Sequence, residues 1–580
     1  MLRWLFFLEL CVLGASRTRR SRPQSQGRGA AQLFREIGKG QLRITAEERP
    51  NILLISTDQQ RRQTLGCYDE WAREGLLSPA ADRLARSGVR FTEAYAAAPS
   101  CTPSRTSILL GVHVPVHTVV ENGLNRWSPL LTPFTDVLAR EGNYATALFG
   151  KSGFMPIPDS LARDEVSREG DDMSSWVFEM RRAARDERRT EGTSQWEYLE
   201  TFLANKTMSW IARQYSQGRR NRPWFAWLSM LSPHGPNVVP NDYQFPYALS
   251  DHRPLPSLDR QPNDIDSLSE QTKRLLDLSN SARTPSRDTI DAHRRRYYRQ
   301  AAYVDTQVGR ILRFLEEELP SGASDNTLII YTSDHGSMLY DHGLTDKHTL
   351  HTESLAVPLI IRWPRIIRKD SIASFASLLD LAPSMLVAAG VRIPASYQGF
   401  DLISPLTVAP EMQSRLEKRR VIVATDVFGY ALVTPSYKLL LYPNERLSYP
   451  LSATPTLVSG RLYDRRNDPG EHQDLWGEAN DAEAHALAGE ALAEKDGRSA
   501  ERRLKLARTR RRLEAALLRW SARQWNLAQM WSQIHRGPKY VGKFTSLLFD
   551  LIENTTGYDS ERDLQLDAFG IAAGDRISGH

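Results

Sequence analysis

The sequence is poor in cysteine and in long apolar runs, and each scarcity excludes a class of protein. Only three cysteines occur among the 580 residues, Cys11, Cys67 and Cys101. So few thiols cannot form the disulfide framework that holds many small secreted domains together, so core packing must stabilise the fold. No apolar run beyond the first few residues has the length of a membrane-spanning helix, and no stable transmembrane segment is expected.

The composition is that of a large soluble protein with a modest positive charge. Apolar residues make up 41%, charged residues make up 25%, and the formal net charge is +6, which is ordinary for globular proteins. Part of the positive charge lies in an arginine-rich stretch without apolar pattern, which predicts a basic disordered linker over residues 17–49. A solvated linker is favoured over a segment that binds polyanions or membranes, and no motif indicates a nucleic-acid partner.

Residues 1–16 resemble a secretory signal peptide. Arg3 precedes the apolar run Trp4–Leu13, and three small residues follow. Glu9 interrupts the run, so an uncleaved anchor is the alternative. A signal peptide predicts passage through the secretory pathway to a secreted or lumenal, lysosome-like location, where the N-x-S/T sequons at Asn205 and Asn554 gain weight as glycosylation sites.

Apolar runs of strand length recur along the chain, and helical stretches lie between them at residues 80–87 and 295–317. The runs are residues 51–57, 144–149, 224–231, 327–331 and 357–363. This pattern predicts a mostly parallel sheet that is flanked by helices and buried on both faces. The first four runs lead into Asp58, Lys151, His234 and Asp334. Because sites in such sheets lie beyond the carboxyl ends of the strands, these four side chains are expected to lie near one another.

A second region begins near Val391. Short runs at residues 421–425, 431–433 and 438–442 predict a small antiparallel sheet. Residues 481–525 predict one or two charged helices, broken near Gly497, with Leu513, Leu517 and Trp520 on one apolar stripe. The predicted organisation is a catalytic domain over residues 50–390, a small sheet domain over 391–480 and a helical extension over 481–525. Residues 526–580 have no assignment.

The most informative motif is Cys101-Thr102-Pro103-Ser104-Arg105, which continues to Gly111. Pro103 suits the first turn of a helix, and Gly111 suits its end, which predicts a helix over residues 104–110. Cys101 is then expected at the positive end of that helix, where a developing anion is favoured. Arg105 offers a planar fork of donors to hold or orient the side chain at position 101.

This motif resembles the signature C-x-P-S-R-x-x-x-L-x-G of the type I sulfatases, which belong to the alkaline-phosphatase-like superfamily. In that family a formylglycine-generating enzyme oxidises the cysteine to an aldehyde, and the hydrated aldehyde attacks a sulfate ester. The resemblance extends from about Pro50 to Gln473 and includes the late stretch Leu462-Tyr463-Asp464. It implies an alkaline-phosphatase-like α/β fold with a smaller C-terminal domain. It also implies formylglycine at position 101 and a sulfate ester substrate, either a small molecule or a sulfated glycan.

The resemblance further implies one divalent cation. Asp58-Gln59 stands where many sulfatases carry Asp-Asp, and Asp334-His335 stands where they carry Asp-Asn or Asp-His. Together with residue 101, these four residues are the expected ligands. Oxygen ligands favour calcium, with magnesium as an alternative, and the nitrogen of His335 also admits manganese. Without the motif at Cys101, a simple strand-to-helix cap would explain Asp58 and Gln59 equally well.

Three more residues match positions that the family uses to bind sulfate. Lys151 follows a glycine as in the family's G-K, His234 lies in a P-H-x-P sequence, and Lys347 lies in an H-G-L-x-x-K-H sequence. The resemblance implies that these three hold sulfate oxygens and that His234 or Lys347 protonates the leaving alcohol. It also implies that Asp334 accepts a proton from the attacking hydroxyl. Taken singly, each lysine would be a solvated side chain and His234 a structural histidine.

One position departs from the family pattern. The family usually shows G-K-x-H, whereas this sequence has Gly153 in place of the histidine. His113, His117 and His348 are the candidates to replace it. The Asp-Gln pair also occurs in relatives that hydrolyse choline sulfate, phosphonate monoesters or phosphodiesters. The second hypothesis is therefore a formylglycine-dependent phosphonate monoester or phosphodiester hydrolase, and the third is a non-catalytic protein that binds sulfated glycans. Lys151 favours sulfate hydrolysis.

Overall fold

The structure is a computed structural model that describes residues 44–534. It leaves out residues 47, 123–125, 155, 163–197, 217–221, 241–242, 244–254, 257–285, 368–369, 408–420, 427–428, 444–456 and 482–496. All described residues belong to one compact unit that begins at Ile44. The predicted signal peptide and most of the predicted linker lie outside the described residues. Within the described part of the chain, no helix combines the length and apolarity needed to cross a bilayer.

A seven-stranded sheet forms the centre of the larger domain. Its strands, numbered β1 to β7 along the chain, are Asn51–Asp58, Val89–Tyr95, Ala145–Gly150, Trp224–Pro233, Thr327–Ser333, Leu359–Arg362 and Ser371–Ser377. Their order across the sheet is β3-β4-β1-β5-β6-β2-β7. Strands β3, β4, β1 and β5 are parallel, as are β2 and β7, whereas β6 is antiparallel to both neighbours. The prediction of a mostly parallel sheet is therefore confirmed.

The apolar strands form where the sequence predicts them because they are buried. Strands β4 and β5 are buried along their whole length, and β1 is buried from its second residue onward. Strands β2 and β7 lie outside the predicted runs. In β2, half-buried polar residues such as Arg90, Thr92 and Glu93 interrupt the apolar pattern, as expected of a strand next to the edge strand.

Helices surround the sheet and connect its strands. Numbered α1 to α12 along the chain, they are Glu70–Glu74, Pro79–Arg86, Cys101–Leu110, Val114–His117, Phe134–Arg140, Asp159–Ala162, Leu199–Ser216, Arg287–Arg313, Thr352–Leu355, Leu381–Ala388, Ile403–Thr407 and Gly497–Ile534. Short 3-10 turns occur at Arg62–Thr64, Asp341–Gly343 and Leu378–Asp380, and a π turn, Phe314–Glu318, extends α8. The predicted helices at residues 80–87 and 295–317 correspond to α2 and to α8 with its π turn.

The second, smaller sheet is antiparallel, as predicted. Its strands β8 to β11 are Ile422–Asp426, Gly429–Val433, Tyr437–Pro443 and Leu457–Asp464, in the order β11-β10-β9-β8. Helix α12 begins at Gly497, where the sequence predicts a break. The predicted stripe of Leu513, Leu517 and Trp520 is buried in one core cluster with Leu439 of the small sheet. The extension is therefore an integral part of this sheet's core.

Asp305 in α8 joins that helix to the start of α2. Its carboxylate accepts hydrogen bonds from the backbone N–H groups of Ala80 (2.9 Å) and Ala81 (2.8 Å). Burial raises the pKa of Asp305 to about 7, although these two bonds oppose the shift. Because the pKa is higher in the folded than in the unfolded chain, the associated stability is fully present below about pH 4 and is lost as the pH rises through 7.

Asp305→Asn is expected to reduce the dependence of the free energy of unfolding on pH between about pH 4 and 7, because asparagine does not titrate. In the wild-type chain, ionisation of Asp305 should lower the free energy of unfolding by at most about 4 kcal/mol between about pH 4 and 7. Urea unfolding at several pH values across this range would measure the slope for each protein. Asp288→Asn, at an exposed position of the same helix, is the control. Parallel profiles for wild-type and Asp305→Asn proteins would contradict the prediction.

Candidate active site

The carboxyl ends of four adjacent parallel strands bring the predicted polar side chains together. Asp58 is the last residue of β1, Lys151 follows β3, His234 follows β4 and Asp334 follows β5. Because these strands are neighbours in the order β3-β4-β1-β5, their ends meet at one edge of the sheet. Asp58 and Asp334 are fully buried there.

Cys101 is the first residue of α3, and its sulfur faces this edge. The Cys101 Sγ lies 3.2 Å from His335 Nε2, 3.3 Å from Lys347 Nζ and 3.6 Å from Asp58 Oδ1. The helix begins at Cys101 itself, three residues before the predicted start, and ends as predicted at Leu110, where Gly111 with a φ of +63° is the C-cap. The side chain at position 101 therefore lies in the first helical turn, whose N–H groups favour a negative charge.

Arg105 connects the two buried carboxylates rather than holding the side chain at position 101. Its Nε donates to Asp334 Oδ2 (2.7 Å), and one terminal nitrogen donates to the Lys151 carbonyl (3.0 Å) and to the Ser229 hydroxyl. The other terminal nitrogen lies 3.7 Å from Asp58 Oδ2. No hydrogen bond joins Arg105 to Cys101 in the described structure. The guanidinium thus sets the positions of the carboxylates that surround residue 101.

Asp58, Cys101, Asp334 and His335 form a buried cluster of possible metal ligands. One donor atom from each residue lies within 4.8 Å of the donor atoms of the other three. Gln59 adjoins the cluster, because its backbone N–H donates to Asp334 Oδ1 (3.0 Å) and its Oε1 accepts from Lys347 Nζ (3.0 Å). Two carboxylates, an amide oxygen and an imidazole nitrogen are a donor set that suits one divalent cation.

Opposite charges keep the buried groups of the site ionised. Burial by itself would raise the pKa of Asp58, but the ammonium group of Lys151, which donates a hydrogen bond to it, holds the pKa well below its usual range. Burial would lower the pKa of Lys151 and of Lys347, but nearby negative charge raises both. The site therefore presents two ammonium groups beside the side chain at position 101.

Asp334 is less suited to accept a proton than the sequence suggests. Burial raises its pKa, but His335 and Arg105 together bring the pKa below the usual value. Its oxygens accept hydrogen bonds from Arg105 Nε (2.7 Å), from the Gln59 N–H (3.0 Å) and from the His335 N–H (2.9 Å). A carboxylate stabilised in this way is a weak base. The geometry favours a metal-binding and positioning role for Asp334.

His234 lies in the wall of a cavity of about 240 Å³ beside the metal-ligand cluster. Other residues of the wall are Gln59, Asn237, His293, Tyr340 and Asp346. The Nδ1 of His234 donates to the Gly235 carbonyl (2.7 Å), which leaves Nε2 for a bound molecule. Burial lowers the pKa of His234, an effect that Asp58 opposes. The protonated imidazole is therefore a stronger acid than an exposed histidine.

Gly153 has no space for the histidine that the family pattern places there. Its φ is +67°, and a Cβ atom at this position would lie 2.6 Å from the Cδ atom of Arg105. Because Arg105 is fully buried and bonded to Asp334, it cannot move aside without breaking that ion pair. A histidine at position 153 would therefore require Arg105 to leave its present position.

Two of the three candidate replacements are engaged elsewhere. The nitrogens of His117 bond to the Ser107 hydroxyl (2.9 Å) and to the Val119 N–H (3.1 Å). The ring of His113 packs edge-on against Trp520 of α12, with ring centroids 4.9 Å apart. His348 differs, because burial and the charge of Lys347 lower its pKa to about 4. Of the three, His348 is the candidate that responds to the charges of the site.

Gly153→His is expected to impair the protein rather than improve it. A side chain at this left-handed position costs about 1–2 kcal/mol in backbone energy, and the collision with Arg105 adds to that cost. We expect a lower midpoint of thermal unfolding and a lower kcat for the ester hydrolysis that the sequence resemblance implies. Gly322→Ala, at another positive φ but with open space around it, separates the backbone effect from the collision. A faster Gly153→His enzyme would contradict this account.

Three polar residues of the site were not identifiable from the sequence. Ser229 lies inside the apolar run that forms β4, yet it accepts a hydrogen bond from Arg105 and donates to the Lys151 carbonyl (2.6 Å). Ser337 and Asp346 both accept hydrogen bonds from the side-chain amide of Gln59. The sequence gives one hint of this role, which is that Asp346 directly precedes Lys347.

The sheet order, the metal-ligand cluster and the helix that begins at residue 101 agree with the alkaline-phosphatase-like fold that the resemblance implies. The sulfatase family model matches residues 50–391, which is more than half of the chain. A second model, the C-terminal region of N-sulphoglucosamine sulphohydrolase, matches residues 340–496. The chain therefore belongs to the sulfatase family and is a sulfuric ester hydrolase.

The individual relatives have low sequence identity to this chain, but the matches cover about three quarters of it. The sulfatase YidJ of Escherichia coli is 26% identical over 77% of this chain and 86% of that protein. The N-acetylglucosamine-6-O-sulfatase of Bacteroides thetaiotaomicron is 25% identical over 74% of this chain and 83% of that protein. The crystal structure of a phosphonate monoester hydrolase of Agrobacterium radiobacter superposes with a TM-score of 0.59 at 24% identity, covering 80% of this chain and 96% of that one. The last comparison supports the fold alone.

Proposed function

We propose that this sulfuric ester hydrolase uses a formylglycine formed from Cys101 and one divalent cation, with calcium favoured over magnesium and manganese. The position of Cys101 carries the proposal. Its Sγ lies at the start of a helix, 3.3 Å from Lys347 Nζ and 3.2 Å from His335 Nε2, and within the metal-ligand cluster. Among the described residues the Cys101 thiol has no disulfide partner, whereas a nucleophile held there faces the groups that sulfate transfer requires.

When present, formylglycine supplies a hydroxyl nucleophile and the cation supplies positive charge beside a sulfate oxygen. Asp58, Gln59, Asp334 and His335 would hold the cation. The ammonium groups of Lys151 and Lys347 would bind the remaining sulfate oxygens, because both stay protonated.

His234 is placed to protonate the leaving alcohol. Its Nε2 remains available on the side of the cavity, where the alcohol part of the ester would lie. General acid catalysis by a positioned histidine typically contributes about 10²–10⁴-fold. Because burial lowers the pKa of His234, its imidazole needs a lower pH than an exposed histidine to become protonated. The proposed location, a lumenal, lysosome-like compartment of the secretory pathway, rests on the signal-like residues 1–16 alone.

Mass spectrometry of the peptide that contains residue 101 tests the proposal directly. The protein should be made in a host with a formylglycine-generating enzyme, which is the maturation partner that the proposal requires. We expect an aldehyde at position 101 and hydrolysis of an aryl sulfate that increases with the converted fraction. An intact thiol at position 101 in fully active protein would overturn the proposal.

A phosphonate monoester or phosphodiester hydrolase with the same nucleophile is the alternative. Gln59 beside the metal-ligand cluster favours it, because Asp-Gln is the pair found in such relatives, whereas Lys151 bonded to Asp58 favours sulfate. Rates on an aryl sulfate and an aryl phosphonate monoester, measured side by side with one preparation, distinguish the two. Faster phosphonate cleavage would overturn the sulfatase assignment, and converted protein inactive on both esters would favour a glycan-binding role.

A further inference from the structure

Gln59 presents a problem that an aspartate at the same position would not have. A carboxylate offers an oxygen in either orientation, whereas a glutamine amide offers an oxygen at one end and an NH₂ group at the other. A hard divalent cation binds oxygen. For Gln59 to serve as a ligand, its amide must therefore be held with the oxygen turned toward the cation.

Hydrogen bonds fix the backbone of Gln59, so the orientation of its side-chain amide is what remains to be set. The residue has a φ of +66°, its N–H donates to Asp334 Oδ1 (3.0 Å), and its carbonyl accepts from the Tyr297 hydroxyl (2.6 Å). These bonds place the side chain between Lys347 on one side and Asp346 on the other.

The two ends of the Gln59 amide meet partners of opposite character. The Lys347 Nζ, which can only donate, lies 3.0 Å from Oε1. The Asp346 Oδ1, which can only accept when ionised, lies 2.8 Å from Nε2, and the Ser337 hydroxyl accepts a longer bond (3.3 Å) from the same nitrogen. A flipped amide would place its NH₂ against the ammonium group and its oxygen against the carboxylate.

We propose that Asp346 is a positioning residue that keeps the oxygen of Gln59 turned toward the cation. The proposal rests on the proposed cation site. Asp346 does not belong to the metal-ligand cluster, and its side chain is 54% exposed in the cavity. With Asp346 in place, Asp58 and Gln59 both present an oxygen to the cation, as two carboxylates would.

A double-mutant cycle on the full-length protein tests the proposal, with calcium affinity measured by isothermal titration calorimetry after chelator treatment. Asp346→Asn suits the positive φ of +63° at this position, because asparagine tolerates that backbone conformation. In the Gln59 background, this substitution is expected to weaken calcium binding about 10-fold or more, as for other residues that orient metal ligands.

The same substitution in a Gln59→Glu background separates orientation from charge. The Gln59→Glu carboxylate has an oxygen at both ends, so Asp346→Asn should then weaken calcium binding less than about 2-fold, or strengthen it by relieving repulsion between two carboxylates. A pure effect of lost negative charge would weaken binding equally in both backgrounds, and that result would overturn the inference. Asp288→Asn, at an exposed position away from the cavity, should leave the affinity unchanged.

The outcomes for this inference and for the proposed function are distinguishable. Wild-type protein that binds none of calcium, magnesium and manganese would overturn the proposed cation site, and the role of Asp346 with it. Wild-type binding together with equal weakening in both backgrounds would overturn the role of Asp346 alone. A larger loss in the wild-type Gln59 background than in the Gln59→Glu background supports it.

Discussion

Cys101→Ala is expected to lower kcat/KM for an aryl sulfate by at least about 10⁴-fold, as for other enzymes that lose their nucleophile. The side chain at position 101 contacts Asp58, His335 and Lys347 together. Alanine has neither a thiol to be converted nor an atom that reaches the sulfur of the ester. The measurement is a steady-state assay on protein from a host that performs the conversion.

Cys67→Ser is the matched control for this experiment. Cys67 is the other cysteine of the described chain. It is half-buried, its backbone N–H donates to Asp82 (2.7 Å), and it does not belong to the metal-ligand cluster. Its replacement should leave kcat/KM close to the wild-type value. Retained activity in Cys101→Ala protein would remove the basis for a covalent mechanism at this position. Cys101→Ser is expected to be almost as inactive, because serine cannot present a second hydroxyl on the same carbon.

Lys347→Ala is expected to lower kcat/KM about 10²–10³-fold, the usual effect of removing one donor to the charge of a transition state. The Lys347 Nζ lies 3.3 Å from Cys101 Sγ and 3.0 Å from Gln59 Oε1. Its ammonium group is therefore adjacent both to the proposed nucleophile and to the proposed cation. Steady-state kinetics at several substrate concentrations would show whether the loss lies in kcat or in KM.

An exposed lysine serves as the control for Lys347. Lys505 lies on the solvent side of α12, and Lys505→Ala removes the same charge without touching the site. If Lys347→Ala retained wild-type kinetics while folding normally, Lys347 would have no role in holding the reacting group. If both variants lost activity equally, the effect would be one of overall charge.

The buried charges of the site depend on one another for stability as well as for chemistry. Arg105 and Asp334 have no exposed side-chain surface and are joined by an ion pair of 2.7 Å. Removing one member of such a pair leaves an uncompensated buried charge, which typically costs about 3–5 kcal/mol. Loss of activity in variants of Arg105 must therefore be separated from loss of folded protein.

Much of this arrangement follows from patterns that are local in the sequence. The apolar runs of β1, β3, β4 and β5 are continuous because the strands are buried, and each run leads into a residue of the site. The helix that begins at residue 101 ends at the glycine that predicts its end, although it begins three residues before the predicted start. Such features are predictable because they depend on burial and on backbone geometry, which act over a few residues.

Other features depend on contacts between residues that are distant along the chain. Gly153 excludes a histidine because Arg105 lies against it, and Asp334 is a weak base because Arg105, Gln59 and His335 all donate to it. Neither fact has a signal in the local sequence. The same holds for Ser229, which is hidden in an apolar strand.

The amino-acid sequence by itself determined the fold class, the positions of the predicted site residues and the chemistry implied by the motif at Cys101. It did so because strand burial, helix ends and residue types are local properties. Only the tertiary structure decided which side chains touch, and therefore which groups stay charged, which imidazole is available and which carboxylate orients Gln59. Those properties arise from distances across strands and loops, and a linear pattern does not contain them.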